Sequence, residues 1–155
     1  MNEIDRCLEQ FYFRGRTRLV FDNSFDRLLD DAHFPDSLVR IKFGYSYDRS
    51  LDGVSFPDNV CAIYFGTRFN QSLDKVIFPK NLSKIRFGSE FNKPIDNLPC
   101  SIEKLVFYTV NMNVTNLPFS VKLIKIIYVD DMTMEGLIRI PYGCRIVDSR
   151  NRVVK

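Results

Sequence analysis

The sequence predicts a β-rich solenoid in which coils of about 22 residues each give one strand to a parallel sheet. Three observations predict it. Six of the seven prolines, Pro35, Pro57, Pro79, Pro99, Pro118 and Pro141, fall at spacings of 22, 22, 20, 19 and 23. At fixed distances after the first five stand an apolar pair: Ile41 and Phe43, Ile63 and Phe65, Ile85 and Phe87, Leu105 and Phe107, Ile124 and Ile126. The 155 residues include 14 Phe and 7 Tyr but no Trp and one His, so Phe serves as a repeating part. A unit this short cannot bury its own apolar side, whereas stacked units share a continuous core.

The elements follow in order within one repeat domain, residues 1–155. Residues 1–15 form an N-terminal cap, where Ile4, Cys7, Leu8 and Phe11 have the i, i+3, i+4, i+7 spacing of a short amphipathic helix over the open end. Residues 16–128 form the coils. The first strand runs from Arg16 to Phe21, with Leu19 and Phe21 inward. In the clearest coil, Leu82-x-x-Ile85-x-Phe87 reads as one short strand by its period-2 alternation. Gly44, Gly66 and Gly88 then permit a sharp corner. Phe25-Asp26, Tyr47-Asp48, Phe69-Asn70 and Phe91-Asn92 turn the chain and send a ring into the core, with Leu29, Leu51, Leu73 and Ile95 four residues on. Val76-Ile77-Phe78 returns along the opposite side, and Pro79 ends that arm because it cannot donate a ladder hydrogen bond. Residues 129–155 form a C-terminal cap, closing on a strand or hairpin from Arg145 to Val154 with a turn at Asp148–Asn151.

Two polar columns accompany these elements. Asp26, Asp48, Asn70, Asn92 and Asn111 are expected to hydrogen-bond along the stack. Asp30, Asp52, Asp74 and Asp96 are expected to cap local backbone N–H groups. Stacked carboxylates can also hold calcium, but no glycine-rich calcium loop is present.

These residues resemble the FNIP repeat, a variant of the leucine-rich repeat. Phe91-Asn92-Lys93-Pro94-Ile95 with Leu98-Pro99-Cys100-Ser101-Ile102 is the nearest match to its signature, and Phe69-Asn70-Gln71-Ser72-Leu73 follows the same frame. The resemblance covers roughly residues 25–128. It implies a leucine-rich-repeat-like solenoid of a kind abundant in social amoebae and in giant viruses that infect amoebae. In many such proteins an F-box ahead of the repeats recruits a ubiquitin ligase and the repeats hold its target. The short segment before the first strand holds no recognisable F-box, so the resemblance reaches the repeat module.

Composition narrows the function. The balance of 22 basic and 19 acidic residues, a formal charge of +3, does not by itself predict a nucleic-acid partner. Cys7, Cys61, Cys100 and Cys144 lack the clustered spacing of a zinc site. His33 stands without a paired nucleophile, and no phosphate-loop, dinucleotide or hydrolase motif occurs. No catalytic residue, metal ligand or cofactor is therefore assigned. The acidic opening, Met1-Asn2-Glu3-Ile4-Asp5, is unlike a secretory signal, and no apolar run approaches the roughly 20 residues of a membrane helix. An intracellular, cytoplasmic protein is expected, in the host cytoplasm if viral.

The repeat frame also names the outward strand positions. Those just before the inward Ile or Leu are Arg18, Arg40, Ala62, Lys84, Lys104 and Leu123; those just after are Val20, Lys42, Tyr64, Arg86, Val106 and Lys125. Seven of these twelve are basic and none is acidic, while the Asp columns lie on the turns. An exposed face without a binding preference mixes both signs. The expectation is a non-enzymatic interaction module that docks an acidic protein surface through Arg18, Arg40, Lys42, Lys84, Arg86, Lys104 and Lys125, with Tyr64 as aromatic anchor. The alternative is nucleic-acid binding by the same face, for which Tyr64 is the one stacking ring the strand positions offer.

Overall fold

The computed structural model describes residues 1–154, apart from the Met132 side chain. Its strands are β1 (Tyr12–Phe13), β2 (Arg18–Val20), β3 (Arg40–Lys42), β4 (Ala62–Tyr64), β5 (Lys84–Phe87), β6 (Lys104–Phe107), β7 (Leu123–Ile126) and β8 (Arg145–Val147). They form one sheet in chain order, parallel from β2 to β8, with β1 antiparallel on β2. The pairing aligns Leu19, Ile41, Ile63, Ile85, Leu105, Ile124 and Ile146 in one buried row.

Two aromatic columns lie beneath the sheet. Phe21, Phe43, Phe65, Phe87 and Phe107 stack with ring centroids 5.2–5.8 Å apart. Phe25, Tyr47, Phe69 and Phe91 stack beside them at 6.1–6.3 Å. Within a coil the columns touch at 4.0–4.4 Å. Fully burying each such ring contributes about 1.5–3 kcal/mol. A third set at the repeat spacing, Phe34, Phe56 and Phe78, each just before a proline, is only half-buried.

The glycine corners have a different cause from the one expected. Gly44, Gly66 and Gly88 do not have positive φ; the preceding coil's backbone occupies the space. A Cβ on Gly66 would lie 1.8 Å from the Gly44 carbonyl oxygen, and one on Gly88 2.0 Å from that of Gly66. Close stacking of backbone on backbone is what excludes a side chain there.

The Asx column forms a ladder over four positions. The backbone N–H groups of Asp48, Asn70 and Asn92 donate to the side-chain Oδ1 of Asp26, Asp48 and Asn70, at 3.0, 2.9 and 3.0 Å. Asn111 leaves this ladder and donates from Nδ2 to the Ser89 carbonyl at 2.6 Å. The Asp30, Asp52, Asp74 and Asp96 carboxylates are exposed and do not cap backbone N–H groups among the described residues. Serine takes that role: Ser50 and Ser72 hydroxyls accept from the N–H groups of Asp52 and Asp74, each at 3.2 Å. The side opposite the sheet is made of turns, and Ile77 is 77% exposed. Proline opens a turn there as well as ending an arm, since Pro35, Pro57 and Pro79 carbonyls accept from Leu38, Val60 and Leu82.

The ends differ from the coils. Helix α1 (Glu3–Leu8) is N-capped by Asn2, whose side chain accepts from Asp5 N–H. It continues as a 3-10 turn through Phe11, whose ring meets Phe21 at 5.5 Å and Phe25 at 5.4 Å. The Asp5 carboxylate accepts from His33 N–H at 2.8 Å, which anchors α1 to the first coil and holds that carboxyl below the usual aspartate range. Strand β1 was not legible in the sequence; Arg14, Gly15 and Arg16, all at positive φ, turn it back onto β2. At the far end a five-residue helix, α2 (Asp131–Glu135), follows Asp130, whose carboxylate accepts from Thr133 N–H. After β8, Asn151 at φ 62° completes the turn that brings Val153 back onto Val147.

Candidate functional site

Each strand from β2 to β7 leaves two outward positions, one on each side of its inward Ile or Leu. The register brings these into two rows across the sheet. Lys42, Tyr64 and Arg86 pair directly in one row. Arg18, Arg40, Ala62, Lys84 and Lys104 pair in the other. Arg40, Lys42 and Arg86 are exposed, and Arg18, Tyr64, Lys84, Lys104 and Lys125 are half-buried.

A concave groove of about 800 Å³ crosses these rows. Of the strand residues expected at the site it gathers Arg18, Arg40, Lys42, Tyr64 and Arg86. Lys84, Lys104 and Lys125 do not line it. Lys84 Nζ instead sits 4.8 Å over the Tyr64 ring, and Lys125 Nζ donates to Asn151 Oδ1 at 2.8 Å. Ala62 and Val106, though at outward positions, are buried and interrupt the basic rows.

Sequence reasoning missed the groove's other wall. Asn23, Tyr45, Thr67 and Ser89 line it, joined by Tyr108. Each of the first four stands two residues after an inward Phe, at the repeat spacing of 22. That periodicity was the available signal, but the position holds four different residue types and so forms no visible motif. Tyr45 and Tyr108 are large exposed aromatics, at 46% and 43%. Arg68 lies 5.5 Å over the Tyr45 ring.

Among the described residues the groove lining contains four cations and no carboxylate. The ion pairs among the described residues lie on caps and turns, including Lys80–Asp58, Lys122–Glu103, Arg49–Asp26 and Arg152–Asp148. None involves Arg18, Arg40, Lys42 or Arg86. Asp22, beside Asn23 in sequence, is held in a turn. Its carboxylate accepts from the Ser24 hydroxyl and from Ser24 and Phe25 N–H groups, and these bonds keep its pKa below the ordinary aspartate value. The arrangement suits attraction of an anionic ligand, with aromatic rings for contact.

The FNIP Repeat family model matches residues 25–68, 47–90 and 69–109. No curated protein matches the chain. Among solved structures the chain is similar to CroV588, a giant-virus protein described as a novel circular LRR protein, at 25% identity and a TM-score of 0.58. That likeness covers 74% of this chain and 18% of CroV588.

Proposed function

The chain belongs to the FNIP repeat family, and from that premise we propose that it is a non-enzymatic interaction module whose concave basic groove docks an acidic partner surface. A leucine-rich-repeat-like fold is consistent with protein interaction. The observation that carries the finer reading is the groove itself: Arg18, Arg40, Lys42 and Arg86 line one concavity that contains no carboxylate among the described residues. Unneutralised like charge on parallel strands about 4.8 Å apart is unfavourable in the free protein, and an acidic ligand relieves it. In a ubiquitin-ligase-type assembly the same groove would hold the substrate. Four free cysteines suit work in the reducing cytoplasm.

The test is capture from native cells with the wild type and with an Arg40→Glu, Lys42→Glu, Arg86→Glu variant, read by mass spectrometry. The partner is retained by the wild type at low salt, weakens as salt rises, and is lost on charge reversal while thermal stability is unchanged. Capture that survives the reversal removes the site assignment. A second reading has one specific observation behind it: Tyr45 and Tyr108 add two rings to Tyr64 at the groove, as single-stranded nucleic acid would need. Retention of DNA or RNA with a log–log salt slope near the number of groove cations would favour it.

A further inference from the structure

The spacing of the groove cations carries information about the shape of the ligand. Lys42, Tyr64 and Arg86 are register partners on β3, β4 and β5, so Lys42 and Arg86 stand two coils apart with Tyr64 between them. Two strand spacings are about 9.6 Å. A ligand lying along the groove crosses the strands, so its own same-face repeat must match that distance.

The three regular backbones differ here. An extended β segment returns to the same face after two residues, about 6.7 Å, and after four, about 13 Å, each about 3 Å off that span. An α-helix advances about 10.8 Å in two turns, overshooting by more than 1 Å, and is about 10–12 Å wide with its side chains. A polyproline II helix returns after three residues, about 9.3 Å, within a few tenths of the required span.

Two other features of the groove suit the same backbone. Polyproline II makes no internal hydrogen bonds, so its carbonyls need donors once docked. The wall supplies them: the Thr67 and Ser89 hydroxyls, and Asn23 Nδ2, whose Oδ1 already accepts from Tyr45 N–H at 3.2 Å. Proline-rich segments also dock on aromatic-lined grooves, and Tyr45, Tyr64 and Tyr108 line this one.

Resting on the docking function above, we propose that the groove binds an acidic polyproline II segment with carboxylates at every third residue, one meeting Lys42 and the next Arg86. The groove runs from the β2 coil to the β6 coil, about 19 Å, which accommodates about six residues at 3.1 Å each.

The experiment uses fluorescein-labelled peptides and the full chain, read by fluorescence anisotropy at low salt. The matched peptide is Glu-Pro-Pro-Glu-Pro-Pro-Glu. Its controls are Pro-Glu-Glu-Glu-Pro-Pro-Pro, of identical composition, and Glu-Gly-Gly-Glu-Gly-Gly-Glu, of identical charge spacing on a flexible chain. The matched peptide binds about tenfold or more tighter than either control. Arg86→Glu weakens it by a similar factor, and changing one terminal Glu of the peptide to Lys recovers the affinity, while the melting temperature is unchanged. Equal affinity for all three peptides, lost on Arg86→Glu, overturns the spacing proposal and leaves the acidic docking groove standing. Binding of none of them, with partner capture still lost on charge reversal, likewise overturns the polyproline II proposal alone. Peptide binding that Arg86→Glu does not alter overturns both.

Discussion

The middle coils, β3 to β5, and the C-terminal coils beyond β6 are built from one chain by different means. In the middle each coil repeats the same contacts. Glycine meets backbone, an aromatic pair stacks on the next pair, and an Asx side chain accepts from the next coil. Beyond β6 these parts stop one by one. Tyr108 and Ile127 stand where the glycine would, Ile126 replaces the Phe, and Asn111 leaves the ladder. Local devices replace them: Thr109 bonds Thr133 between hydroxyls at 3.1 Å, Asp130 caps α2, and Asp148 pairs with Arg152 at 2.6 Å. Stacking order is thus bought coil by coil in the middle and by individual caps at the end.

The two regions should differ most in the aromatic stack. Phe69→Ala removes a fully buried ring held between Tyr47 and Phe91 and should cost about 3–5 kcal/mol in chemical denaturation. Phe119→Ala, at a C-terminal ring 96% exposed, should stay within about 0.5 kcal/mol. Equal effects would mean that the stack does not carry the middle coils.

Gly66→Ala comes next, at about 3 kcal/mol, because the new methyl meets the Gly44 carbonyl and the backbone cannot withdraw without parting the coils. Gly143→Ala in the C-terminal region meets nothing within 4 Å and carries only the strain of φ +77°, about 1–2 kcal/mol. A melting-temperature series on the two variants sharpens the contrast.

Acid should reveal the local caps. The Asp130 carboxyl is held low by the hydroxyl and N–H of Thr133, and that of Asp148 by Arg152 and Arg150 N–H groups and the Arg152 side chain. A depressed folded-state pKa gives stability that is present above the ordinary value of 3.8 and lost as pH falls through the lower folded value. Hydrogen exchange in residues 130–152 should therefore quicken below about pH 4 before exchange at the inward row of β3–β5 does. Simultaneous loss would show that the two regions open as one unit.

The smallest effect belongs to Tyr47. Its hydroxyl is buried without a hydrogen-bond partner among the described residues, and burial pushes its pKa well up. Every other member of its column is Phe. Tyr47→Phe should be neutral or stabilising by about 1 kcal/mol, measured by denaturant midpoint.

What the sequence disclosed follows the same division. Strand positions, the aromatic columns and the Asx ladder as far as Asn92 were legible because each recurs at one spacing and so names its own partners; the fifth expected member, Asn111, falls where that spacing lapses. Strand β1 and helix α2 were not, because they occur once and depend on Arg14–Arg16 and Asp130. At the candidate site, Arg18, Arg40, Lys42, Tyr64 and Arg86 were legible as outward residues. That Lys84, Lys104 and Lys125 fall outside the groove was not, since period-2 alternation marks a residue as outward but says nothing of the contacts it makes there, such as Lys84 over the Tyr64 ring and Lys125 on Asn151. Tyr45 and Tyr108 were missed because they sit on the corner after the strand, where no alternation reaches.

Whether the basic groove is the docking surface is decided by partner capture with the Arg40→Glu, Lys42→Glu, Arg86→Glu variant, against the wild type at matched thermal stability. Loss of a salt-sensitive acidic partner is the predicted result. Undiminished capture by the folded variant would contradict it.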